Sequence, residues 1–362
     1  MPEKVLVTRE IPAAGLRALE PFDVRILHER PPEREELLDA VRGVSGVLST
    51  ATEKVDGELM DAAGEDLRVV ANMAVGYDNV DVEAATERGL LVTNTPGVLD
   101  ETTADVAFML LLAAARRLGE GERLLRAGRW EWWGPKQLMG RDVWGKVLGI
   151  VGFGRIGQAV ARRAKGFGME ILYHNRSRKE DAEQELGARY LDLDELLESA
   201  DFVSVHTPLS DETHHLIGAA ELRRMKPEAI FVNTSRGPVV DEAALADALA
   251  EDRIFAAGLD VYEEEPEVHP KLLELENVVL APTSAAPRSR PGTRWRPSRR
   301  RTSSRSSRTR SRRHRSTDSW PCGAPAPPCG DREPRFTGEL WASCESLQSG
   351  IVTFSNPSSA GG

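Results

Sequence analysis

Three glycines at a fixed spacing, Gly152-x-Gly154-x-x-Gly157, stand in the segment VLGIVGFGRIGQAVARRAKGFG. An apolar run precedes them and an amphipathic helical pattern follows. In that context the spacing reads as a phosphate loop. Glycines allow a tight turn and close backbone approach, and the free N–H groups at the start of the helix receive a pyrophosphate. Gly152, Phe153, Gly154, Arg155, Ile156 and Gly157 are therefore candidate contacts for a dinucleotide. About 20 residues further on, an acid would bind the ribose 2′-hydroxyl of NAD. The chain places Asn175, Arg176, Ser177 and Arg178 there. No carboxylate repels a 2′-phosphate, and two guanidiniums can pair with one. NADP is expected as the preferred cofactor, with NAD second. Read singly, the glycines also suit an ordinary turn and the arginines a solvated strand end.

The elements that must hold this loop alternate in type. KVLVT, SGVLST, LRVVANMAVGYDNV and LLVTNTP are strand-like, with helical patterns such as EREELLDAV among them. DETTADVAFMLLLAAARRL reads as a long buried helix with Asp100 or Thr102 as its cap. Six near-continuous apolar runs follow: KVLGIVGFG, MEILYHN, DFVSVHTP, AIFVNTSRG, IFAAGLDV and NVVLAP. Apolar strands separated by helices imply a parallel sheet covered on both faces. The expected fold class is α/β, with two Rossmann-like doubly wound parallel-sheet domains, over residues 1–99 and 100–282, and a tail over 283–362.

Composition divides the chain at the same place. The 362 residues carry a net charge of −10. Met1 to Pro282 holds 32 Lys+Arg against 52 Asp+Glu, whereas Thr283 to Gly362 holds 15 against 5. Between Thr283 and Glu339 there is no Ile, Leu, Val or Met. Such a stretch buries too little apolar surface to offset its ordering entropy, so the tail is expected to be disordered. Cys322, Cys329 and Cys344 all lie in it. The body has no disulfide framework, and no metal site is expected. The N-terminus resembles neither a signal nor a transit peptide. The longest apolar run, Val106 to Ala115, is too short to span a bilayer. The chain reads as soluble and cytoplasmic, without a membrane partner.

From Met1 to Pro282 the chain resembles the D-isomer-specific 2-hydroxyacid dehydrogenases, and within them the glyoxylate/hydroxypyruvate reductases. The motifs that carry this, in order, are NMAVGYDNVDVEAATERGLLVTNTPGVLDETTADVAFMLLLAAARR, the phosphate loop, VSVHTPLSDETHHLI, FVNTSRGPVVDEAALADAL and AAGLDVYEEEP. The resemblance implies a discontinuous substrate domain, a central dinucleotide domain, a cleft between them, and a homodimer. It implies reduction of a small 2-oxo acid, glyoxylate or hydroxypyruvate, to the 2-hydroxy acid by NAD(P)H. Arg236 matches the arginine that binds the 2-oxo acid, where a guanidinium clamps the carboxylate and polarises the keto oxygen. Val75 and Gly76 match the loop whose N–H groups hold the substrate carboxylate. Glu265 matches the carboxylate that orients a catalytic histidine. Asp260 matches a residue near the nicotinamide, and Thr234 and Ser235 line the cofactor cleft. His206 sits over the cofactor with a structural role as good a reading as a functional one. His214 and His215 read as surface residues, and Trp133 as a packing residue, with a reach into a partner's active site, as in some reductases of the family, as the other reading.

One catalytic part departs from the family. There the last strand is followed by Pro-His-Ile-Gly-Ser, whose histidine donates a proton to the substrate oxygen. Here NVVLAP leads to Thr283. Thr-Ser-Ala-Ala-Pro can be written ACN TCN GCN GCN CCN. Read one base earlier, the same bases can spell His-Ile-Gly-Ser-Ala. Arg, Ser, Pro and Thr dominate beyond Arg288 and Lys is absent, as shifted GC-rich codons would give. A frameshift after Pro282 is therefore expected, with reductase activity impaired. Two other readings stay open. The 13 arginines between Arg288 and Arg315, with no acid among them, are a footprint for nucleic acid, though an evolved basic tail usually contains Lys. The fold also serves cofactor-sensing corepressors, so an inactive interaction protein is the other alternative.

Overall fold

The computed structural model describes residues 2–283. It contains two parallel sheets. The first runs in the order β2-β1-β3-β4-β5, with β1 Lys4–Val7, β2 Asp23–Ile26, β3 Gly46–Ser49, β4 Val69–Asn72 and β5 Leu91–Thr93. The second runs β12-β11-β10-β9-β6-β7-β8, with β6 Val147–Val151, β7 Glu170–His174, β8 Arg189–Tyr190, β9 Phe202–Val205, β10 Ile230–Asn233, β11 Ala256–Leu259 and β12 Val278–Leu280. Every strand pair is parallel. The two orders are the two common doubly wound ones, so the α/β reading holds.

Burial explains which strands were readable. β9, β10 and β11 are buried at every residue, as strands covered on both faces must be. Their side chains alternate between two cores. Ile150, Phe202, Ile230 and Val232 pack beneath the helices Asp100–Ala115 and Arg155–Lys165. Val151, Val203, Val205 and Phe231 pack against the helices Leu193–Ser199, Ala219–Arg224 and Glu242–Ala250. The smaller sheet has its own core around Leu6, Val47, Val70, Leu59 and Met60. Two strands escaped the sequence. β2 is a mostly exposed edge and β8 has two residues, one of them exposed. The long helix also starts differently from expectation. Leu99 is its N-cap and makes no side-chain cap bond, while Asp100 is its first residue. A carboxylate in the first turn still faces the positive end of the helix dipole.

Among the described residues no helix is long and apolar enough to cross a membrane. The expected disorder, the arginine run and the three cysteines of the tail lie outside the described residues.

Candidate active site

Ligands of doubly wound sheets bind beyond the carboxyl ends of the strands, where the strand order reverses. In the larger sheet that point lies between β6 and β9. Gly152 follows β6 with φ +97°, a backbone region that favours glycine. A Cβ there would come within 2.7 Å of the His206 carbonyl carbon and the Thr207 nitrogen. A Cβ on Gly157 would overlap the Gly152 carbonyl oxygen. Gly154 is the opposite case: a Cβ on it would meet nothing within 4 Å. It caps the helix Arg155–Lys165 without a side-chain bond, leaving the first N–H groups of the helix for a ligand. Exposed Arg155 and half-buried Ile156 begin this helix. The Phe153 ring instead stacks in the core on Tyr173, 4.3 Å away. The buried atoms Thr207 Oγ1, Thr234 Oγ1 and His206 Nδ1 have no hydrogen-bond partner among the described residues. An open space at the second glycine and orphaned polar atoms beside it are what a bound dinucleotide would fill.

Asn175 directly follows the next strand. Its side-chain oxygen accepts from Phe153 N–H at 3.2 Å, and its amide donates to Ser177 O at 2.8 Å. A neutral amide thus stands where an NAD-selective acid would. Arg176 and Ser177 are exposed. Arg178 is committed elsewhere, with two bonds to Glu183 at 3.0 and 2.6 Å. Of the two arginines, Arg176 makes no such bond among the described residues.

Arg236 follows β10 and reaches the loop after β4 of the other sheet. Its Nε donates to both oxygens of Asp78 at 3.1 and 3.2 Å, and Nη1 donates to Ser235 O at 2.8 Å. The guanidinium lies so close to Gly76 that a Cβ there would overlap Nη2. Val75 and Gly76 are positioned by their carbonyls. Ala74 O accepts from Thr95 N–H, Val75 O from Asn94 Nδ2 and Gly76 O from Asn72 Nδ2, at 2.8 to 3.0 Å. A trans peptide sets each N–H opposite the preceding carbonyl. The N–H groups of Val75 and Gly76 therefore point away from Thr95 and Asn94. Asn233 shapes the arginine's own loop: its oxygen accepts from Ser235 N–H and Oγ, and its amide donates to Arg236 O. Asp78, Asn72, Asn94 and Asn233 were not singled out from sequence. The only local signal is an amide or acid at the end of a buried strand or in GYDN.

Glu265 is fixed by Tyr262 N–H, which donates to Oε1 at 3.1 Å. Burial pushes the Tyr262 phenol up to about 12; its hydroxyl donates to Ala281 O at 2.9 Å and pins the chain just before Pro282. Thr283 then arrives in front of Glu265, its Oγ1 3.4 Å from each carboxylate oxygen. The hydroxyl donates at shorter range, 3.0 Å, to the carbonyl of Asp260. Asp260 itself is buried. Position 283 is thus where a group oriented by Glu265 would sit.

The remaining histidines differ in kind. His206 Nε2 bonds Ser204 Oγ at 2.9 Å. Burial pushes its pKa down to about 4, so its ring is neutral near pH 7 and a poor proton donor. His215 Nε2 lies 2.6 Å from Glu263, and His214 stacks beside it. The ligand atoms of these three residues fall within 4.8 Å of one another. Trp133 is 76% exposed, so it does not pack within the described residues as expected.

Residues 108–285 match the profile of the D-isomer specific 2-hydroxyacid dehydrogenase, NAD binding domain. The glyoxylate reductase of Korarchaeum cryptofilum is 55% identical over 291 residues, covering 79% of this chain and 87% of that one. A Thermus thermophilus protein of known crystal structure superposes with a TM-score of 0.73 at 46% identity, over 78% of this chain and 89% of that chain. The NADPH-dependent glyoxylate/hydroxypyruvate reductase of Sinorhizobium meliloti, solved with NADP and malonate, gives a TM-score of 0.69 at 38% identity, over 79% of this chain and 87% of that chain.

Proposed function

The chain belongs to the D-isomer specific 2-hydroxyacid dehydrogenases, and from that premise we propose that it is built to reduce glyoxylate or hydroxypyruvate with NADPH. The bound nicotinamide supplies the hydride. The chain's own residues bind, orient and neutralise. The N–H groups of Val75 and Gly76 and the Arg236 guanidinium receive the carboxylate. Arg236 also stabilises charge growing on the keto oxygen. Thr234, Ser235 and Asp260 border the cofactor's side of the cleft. The single observation that carries this reading is the seating of Arg236 on Gly76, which joins the two sheets at their carboxyl ends.

Proton delivery is the missing step. Glu265 faces a threonine hydroxyl that already donates to Asp260 O, and neutral His206 is no substitute. We infer that the chain as written binds cofactor and substrate but turns over slowly, and that a shifted frame after Pro282 removed the acid. This same observation sustains the second reading, a cofactor-binding protein without turnover. We assign the substrate domain to residues 1–99 and the dinucleotide domain to 100–282. A homodimer is supported by Leu118, Leu125, Trp130, Trp132, Trp133, Met139 and Trp144, large apolar side chains more than half exposed within one segment. A body without cysteine needs no oxidising compartment, which supports the cytoplasm.

Fluorescence titration of the full chain tests the cofactor part. NADPH binds about tenfold more tightly than NADH, and Asn175→Asp reverses the order, because a carboxylate would repel the 2′-phosphate and bind the ribose hydroxyls. Equal affinities in the unsubstituted chain would refute it.

A further inference from the structure

We infer that Asp78 is a positioning residue that turns Arg236 toward the substrate's carboxylate. The inference rests on the proposed role of Arg236 as the clamp for a 2-oxo acid. Arg236 offers five N–H donors in one plane. Asp78 takes the donor on Nε through both its oxygens, and Ser235 O takes one on Nη1. Because the guanidinium is planar and rigid, holding two of its nitrogens fixes the third. That third nitrogen, Nη2, has no acceptor among the described residues and lies against Gly76. The N–H groups of Val75 and Gly76, each opposite a carbonyl that accepts from Thr95 N–H or Asn94 Nδ2, are turned away from those two residues. Asp78 therefore brings the free edge of the arginine to the free donors of the loop. The pair also spans the cleft, since the two residues lie in loops that follow strands of different sheets, 158 positions apart.

Electrostatics alone predicts the opposite of positioning. A carboxylate beside Arg236 lowers the local positive charge and competes for the guanidinium, so its removal should tighten binding of an anion. If Asp78 positions, removal must weaken binding instead, because the guanidinium is freed to rotate. The sign of the effect separates the two roles.

The test uses the full chain saturated with NADPH and titrates oxamate, a monocarboxylate analogue of a 2-oxo acid, by calorimetry. Oxamate binding needs no proton donor, so the missing histidine does not affect it. Asp78→Asn is expected to weaken oxamate about tenfold, with NADPH affinity changed less than twofold. Asp78→Glu, which keeps the charge and both acceptors, should recover at least half of that loss on a logarithmic scale. Unchanged or tighter oxamate binding in Asp78→Asn overturns the inference, as does an Asp78→Glu chain that binds NADPH normally but no better to oxamate than Asp78→Asn. Should Asp78→Asn fail to bind NADPH, Asp78→Ser, which also removes the charge, decides in its place: weaker oxamate binding supports positioning, and unchanged or tighter binding overturns it. Failure of the unsubstituted chain to bind oxamate would instead strike the proposed function.

Discussion

At the carboxyl end of β10, Arg236 is held on two sides by Asp78 and Ser235 and seated on Gly76. After β11, Glu265 is held by Tyr262 N–H and faces the side chain of Thr283 at 3.4 Å. The first corner has donors that lack a ligand. The second has an acceptor that lacks its donor. Both are supported by backbone bonds of similar length, so the difference lies in one side chain. A site can keep its scaffold and lose one chemical step, because the scaffold is set by strand ends and the step by a single titratable group.

Substitutions that treat the corners differently probe this contrast. The largest effect is expected at Arg236. In the chain read in the restored frame, Arg236→Gln should lower kcat/KM for glyoxylate about 100-fold, as loss of charge-assisted bonds to a carboxylate does. Glu265→Gln should lower it about tenfold there, yet change turnover less than twofold in the chain as written, where no imidazole needs orienting. A tenfold loss in both chains would show Glu265 acting on its own.

Next in size are the glycines of the phosphate loop. Gly154→Ala meets no atom of the protein, so thermal unfolding should be unchanged while NADPH binding weakens about tenfold. Gly157→Ala overlaps the Gly152 carbonyl and should destabilise the chain by about 1–3 kcal/mol. Equal melting of the two variants would deny the contrast between ligand space and packing.

The smallest effect on the site concerns buried Glu53, whose carbonyl accepts from Asn79 Nδ2. Burial pushes its carboxyl up, but bonds from Thr50 and Thr52 and the charge of Arg9 outweigh that and hold it below the usual carboxylate range. A depressed pKa contributes stability that is present above the unfolded value and is lost as pH falls through the folded one. Denaturant midpoints should therefore drop below about pH 4.5, and Glu53→Gln should remove that part of the pH dependence while costing about 2 kcal/mol at pH 7. An identical pH profile in the variant would exclude Glu53 as the source.

How much of this was legible follows from how local each feature is. Gly152, Gly154 and Gly157 fall within six residues, and β9 to β11 are buried throughout, so spacing and hydropathy suffice. Arg236 and Glu265 were placed by resemblance, since an arginine after NTS or a glutamate in EEEP carries no signature of its own. Asp78 was invisible because its partner lies 158 residues away. Asn72 and Asn233 were hidden because a buried amide at a strand end looks like any polar residue before a loop. β2 and β8 escaped because an edge strand or a two-residue strand has no apolar run to show.

The central claim is that the chain holds cofactor and substrate but lacks the acid. The most direct test is the rate of NADPH oxidation by glyoxylate at pH 7 in the chain as written and in the chain read one base earlier after Pro282, at saturating concentrations of both. General acid catalysis is worth about 10²- to 10⁴-fold, so the restored chain should be faster by that factor while NADPH affinity stays within threefold. Thr283→His alone should recover little of the difference, because the residues after it stay out of frame. Equal rates in the two full chains would contradict the account and mean that the proton reaches the substrate from a group other than residue 283.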